Sequence, residues 1–415
     1  MKILMCAFAC LKDPDRRFGF GEGGEGGLGW NMVNQAAKSN MIWVLTDISN
    51  KEALEKELRG KNETNIHFIY IGSPWLSIIK KLPGGIQLYS YIWQIKAYFV
   101  AKKLYREIGF NIFHHLTYAN DWMASFIGAL VASPYIRGPG GGAHKIPKSF
   151  FTEFSFKDRL SQIIRSIGQW IFRHDPFFIA GQNKAKAILV CNKESLQNMP
   201  ERWRKKTQLF PVNGVSSKDL TMHYKEKASN NTFTIVSAGK LLQIKGFAVA
   251  IKAFKLFGDK IAKAEFNIIG DGPDLERLKA LASDLQIKNK VHFLNWMPRE
   301  KLLSEISSAD VFVFPSLRDG GGQVVVEAMA QGKPVICFDI AGPGFHIQDK
   351  WGIKVKPDSP EQAIKDMAGA MEKLYYDKKL KESLGKNAKK RAEEFYLWDR
   401  LGDKLYDIYK IVNIN

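Results

Sequence analysis

Residues 310–339 read DVFVFPSLRDGGGQVVVEAMAQGKPVICFD. DVFVFPS (310–316) is a short run rich in Val and Phe, the pattern of a strand buried on both faces. Gly320, Gly321 and Gly322 interrupt it. The spacing then predicts a helix around Gln323–Gln331, stopped by Gly332 with Pro334 just beyond. PVICFD (334–339) is the next strand. Strand, glycine loop, helix and strand in that order describe a right-handed βαβ unit of a parallel sheet.

The same alternation extends both ways. On the near side, TFTIVSAG (232–239) leads to a helix over Phe247–Phe257, and EFNIIGDG (265–272) to one over Asp274–Leu285. KVHFLNW (290–296) leads to a helix around Arg299–Ser307, and GIKVKP (352–357) closes the series. Earlier in the chain stand KILMCAFA (2–9), MIWVLTD (41–47), IHFIYIG (66–72), NIFHHLTY (111–118) and AILVC (187–191), separated by helical periodicity. The polar stretch KDLTMHYKEKASNNTF (218–233) divides the two series. The expected fold class is α/β, with two Rossmann-like doubly wound domains and a cleft between them. The expected domains are 1–220 and 221–392. The amphipathic end, with Phe395, Trp398, Leu401, Leu405 and Ile408 near helical spacing, forms a C-terminal helix over about 393–415.

Composition sets outer bounds. The 415 residues are 45% hydrophobic and 25% charged, which excludes a disordered or fibrous chain. Cys6, Cys10, Cys191 and Cys337 contain no CxxC pair and read as free thiols of a reducing compartment. No apolar run reaches the ~18 residues of a membrane span. MKILMCAFAC is followed by KDPDRR and not by a small-residue cleavage site, so it reads as a first strand and not a signal peptide. The expected location is cytoplasmic.

Net charge is +19, and residues 1–220 hold 30 basic against 17 acidic side chains. Between Glu63 and Glu107 there is no carboxylate, while Lys80, Lys81, Lys96, Lys102, Lys103 and Arg106 alternate with Trp75, Tyr89, Tyr91, Trp93, Tyr98 and Phe99. Residues 148–178 add Phe150, Phe151, Phe154, Trp170, Phe177 and Phe178. Such a surface can meet anionic headgroups or nucleic acid. The competing reading is that these aromatics form the first domain's core.

Ligands of open α/β sheets bind at the carboxyl ends of strands, so chemistry is sought in the strand-to-helix loops. GFGEGGEGGLGW (19–30) contains GxGxxG twice, but its strand ends near Ala9, too far away for a dinucleotide fingerprint. Gly26 and Gly27 remain candidates for admitting a phosphate to the next helix N-terminus, or part of a plain loop. RGPGGGAHKIP (137–147) is either a second close approach to a ligand or a long turn. In the quoted stretch, Asp319 and Glu327 stand eight residues apart, and Gly320–Gly322 set amides at a helix N-terminus, where an anion is favoured. Glu327 lies on an otherwise apolar segment and needs polar partners, for which two ribose hydroxyls would serve. SAGKLLQIKGF (237–247) adds Lys240 and Lys245, two ammonium groups able to neutralise a diphosphate. His114 and His115 point to opposite faces of their strand, so one of them can look toward a substrate. The Asp13–Asp15 stretch DPD reads as a turn. There is no P-loop and no HExxH.

Taken together, AGKLLQIKGF, NIIGDGPDLERL, VHFLNWMPREKL, FPSLRDGGGQVVVEAMAQGKPVICFD, HHLTYANDW and RGPGGG resemble the retaining glycosyltransferases of the GT-B fold, in the group 1 (GT4) family. The resemblance is strongest over 232–375 and weaker over 1–215. The family's Glu-x7-Glu stands here as Asp319-x7-Glu327, one methylene shorter at its first carboxylate. The resemblance implies that Glu327 holds the ribose, and that Asp319 with the amides of Gly320, Gly321 and Gly322 holds the donor sugar. Lys240, where the family usually has Arg, and Lys245 would bind the diphosphate beside Gly239 and Gly272. Trp296 and Met297 would frame the base, and Gly26 and Gly27 would close on the phosphates. One histidine, preferably His115 over His114, would face the reacting carbon. It further implies a C-terminal helix crossing back to the first domain.

The implied activity is transfer of a sugar from a UDP- or GDP-linked nucleotide-sugar to a saccharide or lipid-linked glycan, at the inner membrane face. The implied partners are that donor, that acceptor and an anionic membrane surface, with no nucleic acid, metal or other cofactor. The alternatives are a nucleotide-sugar epimerase of the same architecture, and a non-catalytic basic protein that binds membrane or nucleic acid.

Overall fold

The computed structural model describes residues 1–11, 24–59, 65–72, 74–82, 84–131, 133–142, 144–221 and 232–414. The DPD stretch, the first glycine-rich loop up to Gly23, most of the polar stretch 218–233 and the side chains of Trp75 and Lys81 lie outside the described residues. The chain divides into two compact units. The first is Met1–Ala143, Ile163–Val212 and Trp398–Asn415; the second is His144–Gln162 and Asn213–Leu397.

The first unit holds strands β1 (Lys2–Ala7), β2 (Met41–Asp47), β3 (Ile66–Ile71), β4 (Ile112–Thr117), β5 (Tyr135–Gly140), β6 (Ala187–Val190) and β7 (Thr207–Leu209). They form one parallel sheet in the order β3-β2-β1-β4-β5-β6-β7. Every residue of β4 is buried, which is why this strand reads as a continuous run and not an alternating one. The order reverses between β1 and β4, and helix Glu25–Ala37 starts there.

The second unit holds β8 (Phe233–Ala238), β9 (Ala264–Ile269), β10 (Val291–Leu294), β11 (Val311–Phe314), β12 (Val335–Phe338) and β13 (Gly352–Val355). This sheet is also parallel, in the order β10-β9-β8-β11-β12-β13, and reverses between β8 and β11. Helix Gln323–Ala330 lays Val325, Val326, Ala328 and Met329 on one side of it, against Val236, Phe312 and Cys337. Phe254, Phe266, Met367 and Met371 cover the other side. Both units are therefore doubly wound α/β sheets of Rossmann type.

Two details depart from the periodicity. The residues 144–162 belong to the second unit, where Ile146, Phe150 and Phe154 enter its core. Phe150 and Phe154 are thus core of the second unit, whereas Tyr89, Trp93 and Phe178 are core of the first. The helical end is two helices, Lys378–Phe395 and Trp398–Ile414. The break falls at Tyr396–Leu397 because Leu397 bridges Val215, whose N–H donates to the Tyr396 carbonyl at 2.9 Å. Helix Trp398–Ile414 then packs Leu401, Leu405, Ile408, Tyr409 and Val412 into the first unit's core. The four cysteines are buried and unbridged. Among the described residues no helix is long and apolar enough to cross a membrane.

Candidate functional site

The β8/β11 reversal is where an open α/β sheet offers a crevice to a ligand. Two loops meet there. The loop after β8 makes a tight turn over Gln243–Lys245 and enters helix Phe247–Gly258 through Gly246. Gly246 has φ +68°, and a Cβ on it would stand 2.0 Å from the Pro315 carbonyl oxygen. Only glycine lets this loop cross the loop after β11 so closely. A hydrogen bond from Leu317 N to Ile244 O, 3.0 Å, ties the crossing.

That crossing brings Lys245 Nζ to 2.5 Å from Asp319 Oδ2, with each side chain 20% exposed. The other carboxylate oxygen of Asp319 accepts from the N–H groups of Gly321 (3.2 Å) and Gly322 (2.8 Å). Burial alone would raise the Asp319 pKa, but the Lys245 charge and these amides outweigh it and hold the carboxyl below its usual range. This revises the expectation of open amides at 320–322. Asp319 itself takes two of them, and Lys245 is the counter-ion of that carboxylate.

Glu327 sits one turn into helix Gln323–Ala330 and is 4% exposed. Its partners are Arg299 Nε at 2.9 Å and Gln323 Nε2 at 3.2 Å, both on Oε1. Arg299 opens the helix after β10 and also grips Asp219 through two hydrogen bonds of 2.7 and 3.0 Å. Burial disfavours the guanidinium charge, yet the two carboxylates outweigh it and raise the Arg299 pKa further. Asp219 is correspondingly held low: burial opposes this, and the Arg299 hydrogen bonds and charge overcome it. Neither Arg299 nor Asp219 was singled out from the sequence. Their signal was faint: an arginine at a strand-to-helix joint in NWMPRE, facing a solitary helix glutamate.

His346 is a further member that the sequence did not reveal. It is 1% exposed; Nδ1 lies 2.8 Å from the Tyr396 hydroxyl and Nε2 2.5 Å from the Gly321 carbonyl oxygen. Burial lowers its pKa to about 4, so the ring is neutral and holds the glycine turn as a hydrogen-bonding strut.

The remaining candidates sit as follows. Gly239 follows β8 and donates to Ile269 O, and Lys240 beside it is exposed. Gly272 packs so tightly that a Cβ would stand 2.2 Å from Leu241 O, so its place is set by loop-on-loop contact. Trp296 and Met297 are half-buried in the loop after β10, with Met297 against the helix-side core. In the first unit, Gly26 and Gly27 are buried in the first turn of helix Glu25–Ala37, beside the β1/β4 reversal. His114 and His115 are both buried, at 0% and 1% exposure. His114 lies 2.7 Å from the Tyr409 hydroxyl and 2.6 Å from Gly138 O, the position of a structural histidine. Among the described residues Nδ1 of His115 has no hydrogen-bond partner, and burial holds that ring neutral. Among the described residues no group of three or more His, Cys, Asp or Glu side chains is disposed to hold a metal ion.

Residues 220–391 match the family described as glycosyl transferases group 1. An uncharacterised glycosyltransferase of Methanocaldococcus jannaschii is 25% identical over 343 residues, covering 76% of this chain and 80% of that protein. The sucrose-phosphate synthase of Thermosynechococcus elongatus superposes with a TM-score of 0.65 at 17% identity, over 99% of each chain. HepE of Anabaena, solved with UDP, superposes with a TM-score of 0.63 at 15% identity, over 99% of this chain and 100% of that one. The second unit thus carries the stretch that matches the glycosyl transferases group 1 model, the fold is GT-B, and the protein is a glycosyltransferase.

Proposed function

We propose that the protein transfers a sugar from a UDP- or GDP-linked donor to a saccharide or lipid-linked glycan, with retention of anomeric configuration, as a peripheral protein of the inner membrane face. The observation that carries the donor assignment is the Lys245–Asp319 pair at the β8/β11 reversal. An arriving diphosphate competes for Lys245, and exposed Lys240 adds a second cation at the same strand end. Asp319, relieved of part of its counter-charge, accepts from the sugar hydroxyls. Among the described residues both hydrogen bonds to Glu327 use Oε1, so Oε2 is the oxygen assigned to the ribose. Trp296 and Met297 frame the base.

As the glycosidic bond breaks, charge grows on the leaving diphosphate. Preorganised ammonium groups stabilise it without reorganisation, and loss of one such donor typically costs ~10²–10³ in rate. On the first unit, His115 is the candidate for the reacting carbon, since His114 is committed to Tyr409 and Gly138. The complex of HepE with UDP supports a uridine donor by likeness of fold.

The test is a thermal-shift screen of UDP-, GDP- and ADP-sugars, followed by nucleotide release with and without saccharide acceptors. A UDP- or GDP-sugar should raise the melting temperature, because a ligand selective for the folded form stabilises it. Release should be stimulated by an acceptor, and the product should keep the donor's anomeric configuration. Free epimerised donor, or no binding of any nucleotide-sugar, would overturn the reading.

A further inference from the structure

Helix Phe156–Arg173 has its polarity turned inside out over its last turns, Ile163–Arg173, which belong to the first unit. The side facing the protein is polar and aromatic. Arg165 Nη2 and Gln169 Nε2 both donate to the Gly142 carbonyl, at 2.7 and 2.9 Å. The Phe172 ring lies 5.6 Å from that of Tyr91 and 5.7 Å from that of Trp122. The opposite side is Ile163, Ile164, Ile167, Trp170 and Ile171, between 52% and 65% exposed. Their spacing (i, i+1, i+4, i+7, i+8) is one continuous helical stripe. A surface helix ordinarily buries such a stripe, and an exposed apolar patch of this kind marks an interaction surface.

Charge identifies the occupant. From Arg159 to His174 the chain has no carboxylate, and Arg173 and His174 are exposed at the helix end. The helix Gly85–Ile108, which meets Phe172 through Tyr91, exposes Phe99, Lys96, Lys102 and Lys103. Up to Arg106 it lies within the carboxylate-free stretch between Glu63 and Glu107, and Glu107 in its last turn pairs with Lys103 at 3.8 Å. A second copy of this chain would present the same positive charge to itself. A nucleic acid would leave the isoleucines without an apolar partner. An anionic lipid leaflet satisfies both, taking aliphatic and indole side chains below its headgroups and cations at their level.

We propose that the exposed face of Ile163–Arg173 inserts into an anionic membrane leaflet and anchors the first unit there. This deepens the membrane-face placement above and rests on that reading for its purpose. The experiment is co-sedimentation of the full-length protein with vesicles of equimolar phosphatidylglycerol and phosphatidylcholine, or of phosphatidylcholine alone, at low salt. The wild type should pellet with the anionic vesicles only. Ile164→Glu/Trp170→Glu should lose binding by about tenfold or more while melting at the wild-type temperature. A wild type that stays in the supernatant, a variant that pellets equally, or a wild-type dimer that this variant dissociates without any vesicle binding would overturn the proposal. The nucleotide-sugar thermal shift, measured on both proteins, reads the donor assignment separately. Vesicle binding without a shift would retain the anchor and remove the donor reading; a shift without vesicle binding would do the reverse.

Discussion

Lys245 Nζ lies 2.5 Å from Asp319 Oδ2, and this contact joins the loop after β8 to the loop after β11 at the point where the strand order reverses. Asp319 therefore has two tasks. It caps the Gly321 and Gly322 amides, and it is the counter-ion of Lys245, which on the proposed donor reading it yields when a diphosphate competes.

The two tasks separate by substitution. Asp319→Asn keeps an oxygen for the amides but removes the charge, so melting should change little while turnover falls by ~10²–10³. Lys245→Ala should lose as much activity. It also leaves a buried carboxylate without its cation, so it should melt lower than Asp319→Asn. Steady-state rates and thermal melts of both variants check this, and Lys245→Ala with wild-type turnover would remove the pair from the site.

Arg299 neutralises Asp219 and Glu327 together, whose side chains are 6% and 5% exposed. Arg299→Ala strands two carboxylates and should cost about 3–5 kcal/mol of stability, measured by denaturant unfolding. Arg299→Lys should recover only part, because an ammonium cannot reproduce the forked contact with Asp219. Adding Asp219→Asn to Arg299→Ala should restore part of the stability, since Glu327 stays stranded, and none of the activity.

Acid should weaken the fold well above the carboxylate range. His346 and His114 are held by burial at about 4, against 6.5 in an open chain. Between those values the unfolded chain takes up protons that the folded one refuses, so stability is full above pH 6.5 and declines as pH falls toward 4. Each such histidine contributes a slope of about 1.4 kcal/mol per pH unit. His346→Gln should reduce that slope in pH-dependent unfolding. An unchanged slope would show that His346 is protonated in the folded protein. Asp319, held below its ordinary value of 3.8, adds its own loss only at lower pH.

Much of this architecture could be read from apolar runs alone. Strands such as VFVF (311–314) and VICF (335–338) are buried on both faces, and the glycines between them mark where loops must cross. Lys245, Asp319 and Glu327 were legible because their charges stand in such loops or on an apolar helix. What was hidden depended on contacts distant in sequence. Arg299 meets Asp219 and Glu327 only after β10 and β11 are placed, and His346 reaches Gly321 from a helix of six residues. The occupied amides were missed because an aspartate before a glycine turn reads equally as a ligand and as a cap. The stripe around Trp170 was ambiguous for a related reason: helical periodicity says that a face is apolar, not which side of it holds the protein.

Helix Trp398–Ile414 supplies Tyr409 to His114 and buries Leu401, Leu405, Ile408 and Val412 against a sheet whose first strand starts at Lys2. During synthesis those partners leave the ribosome only after the entire second unit has been made. The amino-terminal sheet must therefore wait, with one flank uncovered, until synthesis has passed Val412. Quality-control factors thus have a long interval in which to engage the nascent amino-terminal half.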